Sequence, residues 1–129
     1  MIQNFALDRG IYLIINEGPA FDDRKNDPEY LRVPHGAVKF GQSLKLSGVE
    51  KRYANHIGHG QLSVFVVCRL TNRDDIDAIE KAFHTKFHDV RLRNKRNRPV
   101  EWLEPLDASE LNAGIRQVIY EHFEVLEMD

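Results

Sequence analysis

Glu80, Arg52, His56 and Tyr12 are residues of this 129-residue chain whose side chains can act on a phosphate diester. Hydrolysis of such a bond needs an activated water and neutralisation of the charge that builds on phosphorus, commonly with help from a metal. A carboxylate such as Glu80 can hold the metal. The guanidinium of Arg52 offers a fork of donors matched to phosphate oxygens. His56 follows four residues later and shares its face if the segment is helical, so its imidazole can donate or orient a proton at the same anion. The Tyr12 phenol can orient or deprotonate a water. Each residue taken singly also has a plain reading: a solvated helix glutamate, a surface arginine and histidine, a core tyrosine.

The elements that must position these groups can be read from patterning. Residues 10–15 form a short apolar run, read as a buried strand that carries Tyr12. Residues 16–34 are rich in Gly, Pro, Asp and Asn and read as a long loop or insertion. A second strand is expected over residues 37–40 and a helix over residues 44–56, which would carry Arg52 and His56. Residues 62–70 predict a third strand, with Val64, Phe65, Val66 and Val67 too apolar to leave one face in water. Asn72 to Asp75 supply turn and N-cap residues for a helix over residues 76–90. Its stripe of Ile76, Ile79, Phe83 and Phe87 faces the core, which puts Glu80 at the border of the buried face. Asp107 to Ser109 can cap a last helix built on Leu111, Ile115, Val118, Ile119 and Phe123.

Composition excludes several classes. The longest apolar runs are far too short to span a membrane, and the first residues lack a signal-peptide pattern. Cys68 is the single cysteine, expected as a small buried residue, so neither an intrachain disulfide nor a thiolate zinc cage is available. A cytoplasmic protein is expected. The net charge of −2 is unevenly spread: from residue 104 onward there are seven acidic residues against Arg116 alone. Residues 86–98 hold Lys86, Arg91, Arg93, Lys95, Arg96 and Arg98 against Asp89, a strip able either to neutralise phosphates or simply to sit in solvent.

Read in order, Gly10-Ile11-Tyr12, then Lys39-Phe40-Gly41-Gln42-Ser43, then Arg52, His56 and Glu80 resemble the signature of the GIY-YIG nucleases. Glu80 with His84, and Glu101-Trp102-Leu103, are similar to a phage and bacterial branch in which lysine replaces the second motif tyrosine. The resemblance covers residues 10–103. It implies an α/β (α+β) domain with a small three-stranded, mainly antiparallel sheet flanked by helices. It also implies a metal-dependent endonuclease acting on DNA. Glu80 would hold Mg²⁺ or Mn²⁺, Tyr12 would serve as base or water orienter helped by Lys39 or His56, and Arg52 would stabilise phosphate charge. Gly41, Gln42 and Ser43 would lie against substrate, and Arg91, Arg93, Lys95 and Arg96 would contact its backbone. The family's late asparagine corresponds to Asn94 or Asn97.

Glu80, His84 and His88 also recur every four residues, a spacing that can present zinc ligands, although further ligands would be needed. The expected organisation is one nuclease-like domain over residues 1–103, with an insertion at 16–34, and an acidic helix over 104–129 packed on it. That helix is a candidate surface for pairing two copies or docking a partner protein. The alternatives to an enzyme are a non-catalytic nucleic-acid-binding module on the same scaffold, or a structural domain.

Overall fold

The structure is a computed structural model that describes residues 8–23, 31–49 and 62–128. Its elements are strands β1 (Gly10–Asn16), β2 (Phe21–Asp23), β3 (Leu31–Val33), β4 (Val38–Ser43) and β5 (Leu62–Arg69), helix α1 (Arg73–Lys86), strands β6 (Arg91–Arg93) and β7 (Pro99–Leu103), and helix α2 (Ala108–Met128). The fold is mixed α and β. Its main sheet has the order β5-β1-β4-β7-β6, with every pairing antiparallel, and β2 and β3 form a separate two-stranded ribbon. The three expected strands are neighbours at β5-β1-β4. Two more, β6 and β7, extend the sheet where a basic strip and a short extended piece are expected.

Alternation along β1 and β4 sorts side chains to two faces. Ile11, Leu13, Val38 and Phe40 pack on one side against Ile76, Ile79 and Phe83 of α1 and Leu111 and Val118 of α2. The Phe40 ring stacks on Phe83 at 4.5 Å between centroids and on Phe87 at 5.5 Å. Tyr12, Ile14 and Trp102 form the opposite core with Phe21, Leu31, Val33, Leu46 and Val49. α1 starts behind Asn72, whose side chain accepts from the Asp74 amide at 2.8 Å, and Asp74 and Asp75 suit the positive end of the helix. It stops at Lys86, short of the expected residue 90, and the chain closes with a 3₁₀ turn over His88–Val90.

The described parts of residues 16–34 are more than a loop. Phe21, Leu31 and Val33 are buried, and Phe21 meets Trp102 edge-on at 6.0 Å. Asn16, fully buried, ties the two ends of this excursion together: its Nδ2 donates to Pro34 O at 3.0 Å and Pro19 O at 3.2 Å, and its Oδ1 accepts from Gly18 N at 3.1 Å.

β5 departs from its expectation. Among the described residues it pairs only with β1, and as an end strand it leaves Phe65 and Val66 47% and 44% exposed. Cys68 is accordingly half-buried rather than buried. Of the helix expected over residues 44–56, the described part is a 3₁₀ turn, Leu46–Gly48, leading into Val49 in helical conformation; Arg52 and His56 lie outside the described residues. α2 docks with Gly114 against the Phe87 ring. Among the described residues no helix is long and apolar enough to cross a membrane.

Candidate active site

β4 pairs with β7 at Val38 and Lys39, and the chain from Phe40 onward leaves that ladder. Among the described residues this end of β4 pairs only with β1, and its two faces carry different groups. On the helix face, Gln42 lies two residues beyond Phe40 and so points toward α1. Its Nε2 donates to Asp77 Oδ1 at 2.8 Å and to Glu80 Oε1 at 2.6 Å. Asp77 and Glu80 stand three residues apart and share one side of α1. The second Glu80 oxygen lies 3.6 Å from His84 Nε2, one turn further on. His84 holds the Glu80 carboxyl below its ordinary value, chiefly by hydrogen bonding, and Gln42 adds to this. Burial opposes the shift, and the charges of His84 and Lys39 assist it. Glu80 is thus kept as an anion although only a fifth of its side chain reaches solvent. It opens on a cleft of about 650 Å³ lined also by Gln42, Asp77, His84, His88 and Arg91.

The other face carries Tyr12, Lys39 and Gly41. Tyr12 and Gly41 are paired across β1 and β4, and the phenol ring fills the space where a Gly41 side chain would begin. Lys39 pairs with Trp102 across β4 and β7, its Nζ 3.5 Å from Glu101 Oε2 and 5.8 Å from the centre of the indole. A second, smaller recess of about 230 Å³ opens here, between Asp23 and Leu31 of the β2–β3 ribbon and Lys39, Arg91, Glu101 and Trp102. Arg91 lines both hollows, and its Nε donates to Val100 O at 2.7 Å.

Comparisons with protein-family models, with curated proteins and with solved structures found no match.

Of the residues singled out in the sequence, Gln42, Glu80 and His84 come together directly. Tyr12, Gly41 and Lys39 gather on the opposite face of the same strand end, a division that the order of motifs does not reveal. Ser43 caps a turn, its Oγ accepting from the Lys45 amide at 2.9 Å. Arg93, Lys95, Arg96 and Arg98 lie exposed on the β6–β7 hairpin, with Arg93 Nη1 bonded to Asn97 O at 2.9 Å. Lys86 belongs elsewhere, bonding Gln117 of α2 at 2.6 Å. Both candidate asparagines serve the hairpin turn. Asn94 is buried, and its Oδ1 accepts from the amides of Arg96 and Arg98, while Asn97 takes the left-handed conformation at φ 62°. His88 lines the larger cleft, and among the described residues no three His, Cys, Asp or Glu side chains converge as a ligand cluster.

Asp77 is the site residue that the sequence reading passed over. Its signal was available in the three-residue spacing to Glu80. The donor set suits a hard divalent cation, which takes oxygen ligands and keeps several waters. Glu80 supplies an ionised carboxylate to the cleft lining, and a second carboxylate, Asp77, shares the same Gln42 amide.

Proposed function

We propose that this chain is a metal-dependent endonuclease of the GIY-YIG type that hydrolyses DNA phosphodiester bonds. The unit β5-β1-β4 with α1 would correspond to the family's three-stranded scaffold. The observation that carries the reading is Glu80: an anion held by His84 and Gln42, lining a cleft that Arg91 also lines. A Mg²⁺ or Mn²⁺ ion held by Glu80 would supply Lewis-acid stabilisation of a phosphate oxygen. The protein's own groups do the remaining work. Arg91, together with Arg52 from the first half of the chain, neutralises the phosphate. Tyr12 and Lys39, gathered at Gly41 on the ribbon face of the same strand end, would orient the attacking water or take its proton, as the resemblance implies. This requires substrate to reach that face, where Tyr12 is 5% exposed. That water forms a new bond to phosphorus while the bond to the leaving sugar oxygen breaks. Arg93, Lys95 and Arg96 on the hairpin contact the DNA backbone, which positions substrate without reading sequence. A cytoplasmic setting, and α2 as the surface for a second copy or a partner, belong to the same proposal.

A second reading is a non-catalytic DNA-binding module. Tyr12 and Lys39 lie across the sheet from Glu80, and Lys39 is ion-paired with Glu101, which favours a scaffold kept for binding. Cleavage of supercoiled plasmid in Mg²⁺ or Mn²⁺, against EDTA, separates the two. The nuclease predicts metal-dependent nicking that Glu80→Ala abolishes. The module predicts no nicking by either protein, with salt-sensitive DNA binding retained in both.

A further inference from the structure

The smaller recess opens on the face of the strand end opposite Glu80, shares Lys39 with the proposed site, and meets the larger cleft at Arg91. One of its walls comes from the separate β2–β3 ribbon, through Asp23 and Leu31. Val100 and Trp102 give it apolar lining, and Lys39 and Arg91 bring positive charge. Asp23 and Glu101 add two carboxylates to the lining, Glu101 with its Oε2 3.5 Å from Lys39 Nζ. Its volume of about 230 Å³ is far too small for a duplex but suits one nucleotide.

We infer that this recess binds one unpaired nucleotide next to the scissile phosphate, selecting a base with an exocyclic amino group. Arg91 spans the junction of the two hollows: its Nε is fixed to Val100 O, which leaves the guanidinium tips for a phosphate passing from one hollow to the other. Cytosine presents an amino donor that Asp or Glu can accept, whereas thymine presents a carbonyl oxygen at the same place. The added ribbon is then a selector for DNA with a displaced or unpaired base, rather than a surface excursion. The inference rests on the nuclease reading only for what occupies the larger cleft.

Trp102 is the chain's single tryptophan and lines the recess, so its emission reports occupancy directly. Short oligodeoxycytidylate and oligothymidylate are titrated into the full protein in EDTA while tryptophan emission is followed. Saturable quenching by oligodeoxycytidylate is expected, with binding about tenfold tighter than for oligothymidylate. Glu101→Gln, an exposed change, should reduce that preference. Val100→Phe, which narrows the recess, should remove the quenching in a protein that still unfolds cooperatively. Arg91→Ala should weaken both oligonucleotides and lower the salt slope by about one. Emission indifferent to both oligonucleotides, or quenching with no base preference and no response to Val100→Phe, overturns the inference. Quenching as expected in a protein that never nicks plasmid keeps the recess and discards the nuclease. Nicking without quenching does the reverse.

Discussion

Tyr12 and Gly41 face one another across β1 and β4, and the Tyr12 phenol occupies the volume in which a β-carbon at position 41 would stand. The glycine of the second half-motif is therefore explained by the tyrosine of the first. Gly41 is not needed for an unusual backbone angle here; it is needed because an aromatic ring crosses it. The ring is 5% exposed and belongs to the core beneath the ribbon, so moving it disturbs that core.

Gly41→Ala should accordingly cost about 1–3 kcal/mol, the range for overpacking a filled site. In a Tyr12→Ala background the same substitution should cost almost nothing, because the clash is gone. Urea midpoints of the four proteins form a double-mutant cycle with a coupling energy of the same size as the single cost. An additive cycle would mean that the ring does not rest on Gly41.

Glu80 leads to a prediction about acid. Its folded-state value is depressed, first by the His84 hydrogen bond and then by Gln42. A group depressed in this way contributes stability that is fully present above the unfolded glutamate value, roughly 4.3, and is lost as pH falls through the lower folded value. Wild type should therefore lose stability faster than Glu80→Gln on acidification below roughly pH 5. Chemical denaturation across that range checks it. Parallel curves for the two proteins would remove Glu80 from the set of stabilising carboxylates.

Gln42 now holds Asp77 and Glu80 with one amide group. Gln42→Glu replaces those two donors with a third negative charge. The variant should be about 1–3 kcal/mol less stable than wild type in EDTA, the scale of a one- to two-unit perturbation among neighbouring carboxylates. Mn²⁺ should restore it and raise its melting temperature by more than it raises that of wild type. Equal metal-induced shifts in the two proteins would show that no divalent cation binds beside these carboxylates.

Much of the scaffold was legible because local rules applied to whole elements. Ile76, Ile79 and Phe83 mark the buried stripe of α1, which Phe87 continues just past its end, Asn72 marks its start, and Glu80 falls at the stripe's border as the spacing requires. Strands β2 and β3 were not legible, since three residues each are too few to show a period, and charged and turn-forming residues surround them. β6 was hidden differently: Arg91-Leu92-Arg93 alternates as a strand should, but its charge dominated the reading. The bond from Gln42 to Glu80 joins positions 38 apart and follows only from the packing of β4 on α1. The separation of Lys39 and Gly41 from Gln42 was within reach, because consecutive strand residues point to opposite faces.

Asn94 connects the basic hairpin's stability to its proposed use. Its side chain is buried and accepts from the Arg96 amide at 2.9 Å and the Arg98 amide at 3.1 Å, which shapes the turn that presents Lys95, Arg96 and Arg98. Asn94→Ala leaves both amides without that acceptor and should cost about 1–3 kcal/mol. Asn94→Asp keeps an acceptor oxygen in place and should recover most of the stability. It also places a carboxylate among the arginines, so it should not recover DNA affinity. Thermal unfolding and salt-dependent DNA binding, measured together on the three proteins, separate the two roles. Recovery of both quantities by Asn94→Asp would mean that the hairpin is not where the DNA backbone lies.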